Sequence, residues 1–217
     1  MKAGVYFRIH ILVFITAIIF SILSHTVFHK LPKQVRKFTT YGIPMIIYED
    51  QEYLSTIDDV LVTNSYVYIL FGELHLVKVY DIYRNYVCTL IVSNEKSNGA
   101  RAQIFVHEET LYLLSANDIY EFVDNTFVRF HSYKEDTSMR LSINKNRHTY
   151  RNDLDGDAHR YYMKGESIYR SDSKGTEQIF LWRSPMYFLC NPIFSWSLWV
   201  LFFLLLIGPM LFRKENQ

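Results

Sequence analysis

The chain has 217 residues, 17 of them Tyr and 16 Phe, and 23 Lys and Arg nearly balance 22 Asp and Glu to leave a net charge of +1. This balance argues against a nucleic-acid-binding protein, which needs a clearly basic surface. Disordered chains are poor in aromatic residues, so a largely folded protein is expected. Two cysteines, Cys88 and Cys190, are too few for a disulfide framework and are expected to be separate buried thiols.

An apolar segment over residues 9–28 follows a short basic start that contains Lys2 and Arg8. Its length matches the roughly 20 residues that a helix needs to cross the hydrocarbon core of a bilayer. No small-residue cleavage site follows it, so the sequence favours an uncleaved transmembrane helix over a removed signal peptide. Residues 1–8 are then a short cytoplasmic tail, and residues 29–45 form a linker to the next domain.

The segment over residues 46–185 has the pattern of an all-β domain. Short runs rich in Val, Ile, Leu and Tyr are separated by residues that are typical of turns. The runs predict strands over 60–62, 66–71, 74–80 and 86–92, with turns at Asn64-Ser65, Gly72-Glu73 and Arg84-Asn85. No stretch of this domain keeps apolar residues at helical spacing.

Three segments of this domain share one pattern. Each begins with an apolar strand and a turn, continues with a β-branched residue followed by Tyr, and ends with a polar turn and a second apolar strand. They cover residues 66–92, 110–133 and 159–183, and the equivalent pairs are Val79-Tyr80, Ile119-Tyr120 and Ile168-Tyr169. A period of about 40 to 50 residues with several strands per unit is typical of propeller blades. Asn and Gly in the polar turns suit tight hairpins, at Arg84-Asn85, Asp124-Asn125 and Lys174-Gly175. The prediction is about three propeller-blade-like antiparallel units.

Three blades are too few to close a propeller ring, which typically takes about 4 to 8 blades. The sequence therefore leaves three arrangements open: an open stack of twisted sheets, a sandwich, and pairing of strand edges between chains. The last arrangement would make the protein a homo-oligomer and would cover exposed edges that otherwise invite aggregation.

A set of short motifs runs through the domain: Val67-Tyr68, residues 77–81 followed by 85–87, residues 110–112 with 118–120, and residues 167–175. With these motifs and its apolar ends, the chain resembles a loose group of uncharacterised bacterial membrane proteins, seen especially in clostridia-like lineages. Those proteins carry one span on each side of a short β domain of NHL- or YWTD-propeller type. The Asp-Gly turn usual before the Leu-Tyr strand is replaced here by Asn64-Ser65 and Glu108-Glu109. The resemblance covers nearly the whole chain and implies a fold and a membrane location, but no activity.

Residues 194–212 form a second apolar segment, after a linker over 186–193 and before a cytoplasmic tail over 213–217. Trp196 and Trp199 at its start, and Arg213 and Lys214 after its end, match the residues that flank membrane spans. Pro209 lies near its end, where a lost helical hydrogen bond costs least. The sequence thus predicts a two-pass protein of the cell membrane, with an all-β domain flanked by two transmembrane helices.

Two spans place both termini on one side of the membrane. The basic start resembles an export signal, which indicates cytoplasmic termini and an extracytoplasmic domain. The alternative is a cytoplasmic domain held at the inner leaflet by the basic residues of 30–37.

The cluster most suggestive of chemistry comprises Asp153, Asp155, Asp157 and His159. Alternating carboxylates resemble the start of a calcium loop, but an EF-hand has Gly at its sixth position and Glu at its twelfth. Here Gly156 is fourth and Lys164 is twelfth. A zinc site that combines His148 with His159 is a weaker alternative. An exposed loop, in which Asp and Gly form turns, is the simpler interpretation of these metal candidates.

No nucleophile elbow, phosphate-binding loop or zinc-protease motif occurs in the sequence, so neither a catalytic residue nor a cofactor is predicted. The carboxylate pairs Asp58-Asp59 and Glu108-Glu109 are expected to be solvated turn residues, because strand neighbours point to opposite faces. Aromatic clusters can bind sugars or peptides, but core packing is the preferred interpretation of the crowded tyrosines in the first unit. These are Tyr66, Tyr68, Tyr80, Tyr83 and Tyr86.

These observations predict a non-enzymatic, membrane-tethered β-repeat module that binds or interacts with another molecule outside the cytoplasm. The expected partners are the lipid bilayer and a membrane protein, with a second copy of the chain as a further candidate. The ligand stays open. One alternative is an accessory subunit that is recruited to a membrane complex through its spans. Another is a small metal-dependent membrane enzyme that uses the cluster over 153–159.

Overall fold

The computed structural model describes residues 2–27, 42–93, 99–107, 109–116, 118–132, 160–164, 167–171, 177–181 and 183–213. The chain divides into two compact units. The first unit combines Met1–Lys30 with Arg183–Gln217, and the second is Leu31–Trp182. Both ends of the chain therefore belong to one unit, and the middle of the chain forms the other.

The first unit is helical. It contains α1 (Lys2–Val27), α2 (Pro185–Cys190) and α3 (Pro192–Arg213). Within α1, the 20-residue stretch Arg8–Val27 reaches a mean hydropathy of 2.0, so it is long and apolar enough to cross a membrane. The apolar stretch Pro192–Ile207 of α3 is shorter. Among the described residues one helix thus meets the requirement for a span, and the second span stays a prediction.

A short helix replaces most of the linker that the sequence suggested over residues 186–193. Ser184 precedes α2, and Pro185 occupies its first position. Proline is favoured there because its φ is preset for a helix and its missing N–H would have had no helical acceptor. Pro192 begins α3 in the same way.

The helices α1 and α3 pack against each other in opposite directions. Phe20, late in α1, meets Phe194 at the start of α3 with ring centroids 5.2 Å apart. Phe14, six residues earlier in α1, contacts Trp199 and Phe202 further along α3, with ring centroids 5.8 and 5.2 Å apart. The two apolar segments at opposite ends of the sequence are therefore an antiparallel pair, which the sequence pattern did not predict.

The described part of the second unit contains three antiparallel sheets. Sheet A has the order β1-β5-β4-β3-β2 and comprises β1 (Met45–Ile47), β2 (Asp59–Val62), β3 (Tyr66–Phe71), β4 (Leu76–Asp81) and β5 (Tyr86–Ile91). Sheet B has the order β6-β7-β8-β9 and comprises β6 (Gln103–His107), β7 (Thr110–Ser115), β8 (Asp118–Val123) and β9 (Thr126–Ser132). Sheet C has the order β10-β11-β12 and comprises β10 (Arg160–Lys164), β11 (Ser167–Ser171) and β12 (Glu177–Leu181).

The predicted β-rich middle of the chain is confirmed, and the four strands predicted over 60–62, 66–71, 74–80 and 86–92 correspond to β2, β3, β4 and β5 to within two residues. Each of the three similar segments forms a three-stranded meander, namely β3-β4-β5, β7-β8-β9 and β10-β11-β12. The identity of these sheets as propeller blades stays a prediction. The sequence missed β1, because a three-residue strand is too short to show an alternating pattern.

The turn chemistry explains the hairpins. Asp124 and Asn125 alone connect Val123 to Thr126, with φ values of 47° and 61°. Positive φ at both central residues is the mark of a type I′ turn, whose twist matches that of the flanking strands. The predicted turn at Lys174-Gly175 lies outside the described residues, and the strands before and after it, β11 and β12, pair antiparallel.

Sheet A lies between the other two sheets. Val77 and Val79 of β4 join a core with sheet B that includes Leu111 and Phe122. Leu76 of β4 joins a second core, on the opposite face, with Ile168 and Phe180 of sheet C. Because successive strand residues point to opposite faces, β4 is buried on both sides, which accounts for its nearly unbroken apolar sequence.

Candidate functional site

The crowded tyrosines of the first unit separate onto the two faces of sheet A. Tyr66 and Tyr68 lie on the face toward sheet B with ring centroids 6.0 Å apart. Tyr80 and Tyr86 lie on the face toward sheet C, 5.8 Å apart. Tyr83, in the turn between β4 and β5, is 77% exposed. The packing prediction is thus confirmed for the four strand tyrosines and is wrong for Tyr83.

A buried lysine lies among the tyrosines on the sheet C face. Although the Lys78 side chain carries a charged group, it is only 7% exposed, because it belongs to the central strand β4. Its Nζ lies 5.8 Å from the ring centroid of Tyr53, 5.9 Å from that of Tyr80 and 5.6 Å from that of Tyr86. The negative faces of aromatic rings attract a cation at such distances. We call these four residues the lysine cage.

The ammonium group of Lys78 also pairs with a carboxylate. Its Nζ donates to Oδ1 of Asp50 at 2.5 Å, and the carboxylate side chain is 52% exposed. The cage therefore opens toward solvent at Asp50, where the chain between β1 and β2 crosses the sheet. The sequence analysis missed this site. A charged residue inside a strand that is otherwise apolar could have indicated it, but a lone Lys in the run of 76–80 has no recognisable motif.

Two phenol groups of the cage, those of Tyr53 and Tyr86, are held neutral. Burial raises the pKa of Tyr53 to about 12, and burial raises that of Tyr86 to about 12. The Tyr86 hydroxyl lies 2.8 Å from the carbonyl oxygen of Ile47 and 3.0 Å from that of Glu49, so it fastens the segment after β1 to the sheet. These tyrosines therefore present neutral rings to the lysine and are unsuited to act as bases near pH 7.

Five residues that lie close to the cage along the chain have exposed side chains. Tyr48 is 75% exposed and lies beside Glu49, which contacts Tyr86, and Tyr83 precedes Tyr86 by three residues. Both aromatic side chains are therefore within a few residues of one anchoring point. We call the set Tyr48, Glu49, Asp50, Glu52 and Tyr83, all of them exposed, the acidic rim.

A second buried polar group joins sheets A and B. The Nδ1 of His75 lies 2.7 Å from the hydroxyl of Ser115, whose Oγ donates to the carbonyl of Ser93 at 2.9 Å. Burial lowers the pKa of His75, although a hydrogen bond to the backbone of Ala100 opposes this effect. A neutral His beside a Ser resembles part of a nucleophilic dyad. Here both residues are buried and the hydroxyl is bonded to a carbonyl, so the pair ties two sheets together.

A third polar group lies on the face of sheet B that points away from sheet A. Glu121 pairs with Arg129, accepts a hydrogen bond from the Tyr112 hydroxyl at 3.3 Å, and lies 3.5 Å from Nε2 of His131. Burial acts to raise the pKa of Glu121, but hydrogen bonding and charge from Arg129 outweigh it and lower the pKa. These contacts link β8 to both neighbouring strands and stabilise the ionised carboxylate.

The carboxylate Asp58 is a structural residue, and the prediction of a solvated turn was wrong for it. Its side chain is 14% exposed, and its Oδ2 accepts a hydrogen bond from the N–H of Gly72 at 2.7 Å. Arg101 pairs with Oδ1 of the same carboxylate at 2.5 Å and also with Glu73. Asp58 therefore connects the start of β2 to the β3–β4 turn and to Arg101, which precedes β6 of sheet B.

The predicted metal candidates Asp153, Asp155, Asp157 and His159 lie outside the described residues. In the described ranges, no group of three or more His, Cys, Asp and Glu side chains is arranged to hold a metal ion.

Glu109 lies in the predicted turn between β6 and β7 with a φ of 62°. Cys88 and Cys190 are free and buried, as expected.

Polar side chains also connect the two helices of the first unit. The hydroxyls of Ser21 in α1 and Ser195 in α3 lie 2.7 Å apart, and the indole N–H of Trp199 donates to Ser21 Oγ at 2.9 Å. Hydrogen bonds of this kind between apolar helices are typical of pairs that pack within a membrane. We call these three residues the polar seam.

No protein family, curated protein or solved structure matches this chain.

Proposed function

We propose that this protein is a two-pass membrane protein whose extracytoplasmic β domain binds a partner protein without catalysing a reaction. The observation that carries the membrane part is the outer surface of the helix pair. Large apolar side chains are exposed on both helices, including Leu12 and Ile22 on α1 and Leu204 on α3. Apolar surface of this extent is unfavourable in water and stable in lipid.

The polar seam supports the second span. The described apolar stretch of α3 is short by itself, yet Ser195 and Trp199 are matched to Ser21 of the helix that is long enough to cross a bilayer. A helix packed alongside a spanning helix, with its polar groups turned toward that neighbour, occupies the same hydrocarbon layer.

The acidic rim supports the binding part. Tyr is enriched among residues that dominate binding energy, because it supplies a large rigid surface with a polar end. The exposed Tyr48 and Tyr83, together with the carboxylates of Glu49, Asp50 and Glu52, offer aromatic and negatively charged groups that would complement a basic segment of a partner. The lysine cage holds the segment after β1 against the sheet, through Lys78 on Asp50 and the Tyr86 hydroxyl on the Glu49 carbonyl. The polar groups around Lys78, His75 and Glu121 support a binding role over a catalytic one, because each joins separate segments of the domain.

Membrane insertion and sidedness are tested in one set of variants. With Cys88 and Cys190 replaced by Ala, one cysteine is placed at Val128, which is exposed on β9, or after Gln217. We expect the chain to stay in the membrane pellet after an alkaline wash. In intact cells, an impermeant maleimide is expected to label Val128→Cys and to spare the C-terminal cysteine. Labelling in the reverse pattern would place the domain in the cytoplasm.

Partner binding is tested by site-specific photocrosslinking in the living cell. A photoreactive residue at Tyr48 or at Tyr83 is expected to capture the same partner, and high salt applied before illumination is expected to weaken capture. Val128 is the matched control, because it is exposed on sheet B away from the rim. Equal capture from all three positions contradicts the rim as the binding surface. Capture from Leu12 alone favours the accessory-subunit alternative, in which the spans recruit the protein.

A further inference from the structure

Pro209 leaves one carbonyl of α3 without its helical donor. In an α-helix each N–H donates to the carbonyl four residues earlier. Proline has no N–H, and α3 continues through position 209 to Arg213. The carbonyl of Leu205, four residues before Pro209, therefore cannot receive its usual hydrogen bond.

The other helix supplies a donor at that carbonyl. The Nε2 atom of His10, in α1, lies 2.9 Å from the carbonyl oxygen of Leu205. A carbonyl oxygen can only accept, so the contact requires the proton on Nε2. The two residues are 195 positions apart in the sequence, and the carbonyl that His10 reaches is the one that Pro209 frees.

Such a match has a physical reason in lipid. Water is absent from the hydrocarbon layer, so an unpaired carbonyl there is strongly unfavourable. Proline is tolerated in spanning helices where a neighbouring helix provides the missing hydrogen bond. The histidine and the proline, which separately look out of place in two apolar segments, compensate for each other.

We propose that His10 is the positioning residue that makes Pro209 compatible with the paired helices, and that α1 consequently stays in the mature protein as the permanent partner of α3. A cleaved signal peptide would remove the donor and expose the carbonyl. This inference rests on the proposed membrane insertion, since in water the freed carbonyl would be hydrated at little cost.

The experiment is a double-mutant cycle on the full chain. In a background without Cys88 and Cys190, Ser21→Cys and Ser195→Cys report helix pairing through their disulfide equilibrium with a glutathione buffer. The measurement is made at the detergent composition at which half of the unaltered helix pairs have separated. We expect His10→Ala to lower the pairing constant on the order of 3- to 20-fold, the range found for interhelical hydrogen bonds.

The same change is expected to lower pairing by less than about twofold when Pro209→Ala is present, because the carbonyl then regains its donor within the helix. His10→Gln, which keeps a donor, is expected to lose less than His10→Ala. Thr16→Ala is the matched control, since the Thr16 hydroxyl donates to Leu12 of its own helix at 2.8 Å. It is expected to leave pairing unchanged.

Additive effects of His10→Ala and Pro209→Ala in a membrane-retained chain overturn the inference. A mature chain whose intact mass lacks α1 overturns it as well. Release of the intact chain by the alkaline wash instead overturns the proposed membrane insertion. The two failures are therefore distinguishable.

Discussion

Replacing Lys78 separates the contribution of its charge from that of its bulk. Lys78→Met keeps an unbranched apolar side chain of similar volume between the three tyrosine rings and removes the ammonium. Lys78→Ala removes both. We expect Lys78→Met to leave the free energy of unfolding within about 1 kcal/mol of the original value, and Lys78→Ala to lower it by about 2–4 kcal/mol.

The magnitudes follow from the surroundings of the lysine. Rings at 5.6 to 5.9 Å from Nζ contribute roughly 2 kcal/mol together at a desolvated site. The pair with Asp50 adds less than about 1 kcal/mol, because that carboxylate is 52% exposed and screened by water. Taking the ammonium out of water costs several kcal/mol. These terms nearly cancel for Lys78→Met, whereas Lys78→Ala leaves a cavity that the flanking sheets cannot close.

The assay uses Cys88, which is buried in β5 of the same sheet. Burial raises the pKa of this thiol to about 11, so it is both shielded and protonated in the folded domain. With Cys190→Ala in the full detergent-solubilised chain, maleimide labelling as a function of urea reports unfolding of the β domain alone. Asp50→Asn is the matched control and is expected to cost less than about 1 kcal/mol.

Equal, large losses for Lys78→Met and Lys78→Ala would refute this reasoning, because they would mean that the charge itself stabilises the fold. A loss for Asp50→Asn as large as that for Lys78→Ala would refute it too.

Three further predictions use the same thiol assay. The pKa of His75 is lowered on folding, so the unfolded chain binds the proton more readily than the folded chain. The contribution of neutral His75 to the free energy of unfolding is therefore complete above about pH 6.5 and falls at lower pH, by up to about 1.4 kcal/mol per pH unit. The variant His75→Asn should remove this pH dependence. Asn125→Gly should stabilise the domain by about 0.5–1 kcal/mol. Glycine adopts the positive φ of 61° readily, and the buried amide of Asn125 has no hydrogen-bond partner among the described residues. A lower free energy of unfolding for this variant would contradict the turn geometry. Gly72→Ala should lower the free energy of unfolding by about 1–3 kcal/mol. The added Cβ would lie 3.0 Å from the backbone carbonyl oxygen of Ala102 and 3.0 Å from a carboxylate oxygen of Asp58. An unchanged unfolding curve would show that the neighbouring atoms move aside freely.

The sequence showed that tyrosines are concentrated in the first unit, but it did not predict how they and Lys78 are arranged in the candidate site. The tyrosines around β4 were visible as a cluster, but the alternation along β3 and β4 sends Tyr68 and Tyr80 to opposite faces. Lys78 carries no motif, and Asp50 and Tyr53 approach it through a segment without regular structure. Contacts of this kind depend on how an irregular segment crosses a sheet, which no local pattern records.

The same division applies to the helices. Each apolar segment was recognisable alone by its length and composition, and Pro209 was interpreted as tolerated near the end of the second segment. The relation between His10 and Pro209 could not be predicted, because it requires knowing which turn of α1 lies beside which turn of α3.

The sequence by itself determined the local elements of this protein: the apolar helices, the meanders and their tight turns. These follow from the period of the side chains and from the φ preferences of a few turn residues, which act over short distances. Only the tertiary structure decided that sheet A lies between the sheets that follow it, and that the two ends of the chain pair. Both arrangements depend on which apolar faces meet, and many faces are equally apolar, so the choice is made by shape and by a few buried polar groups that must find partners.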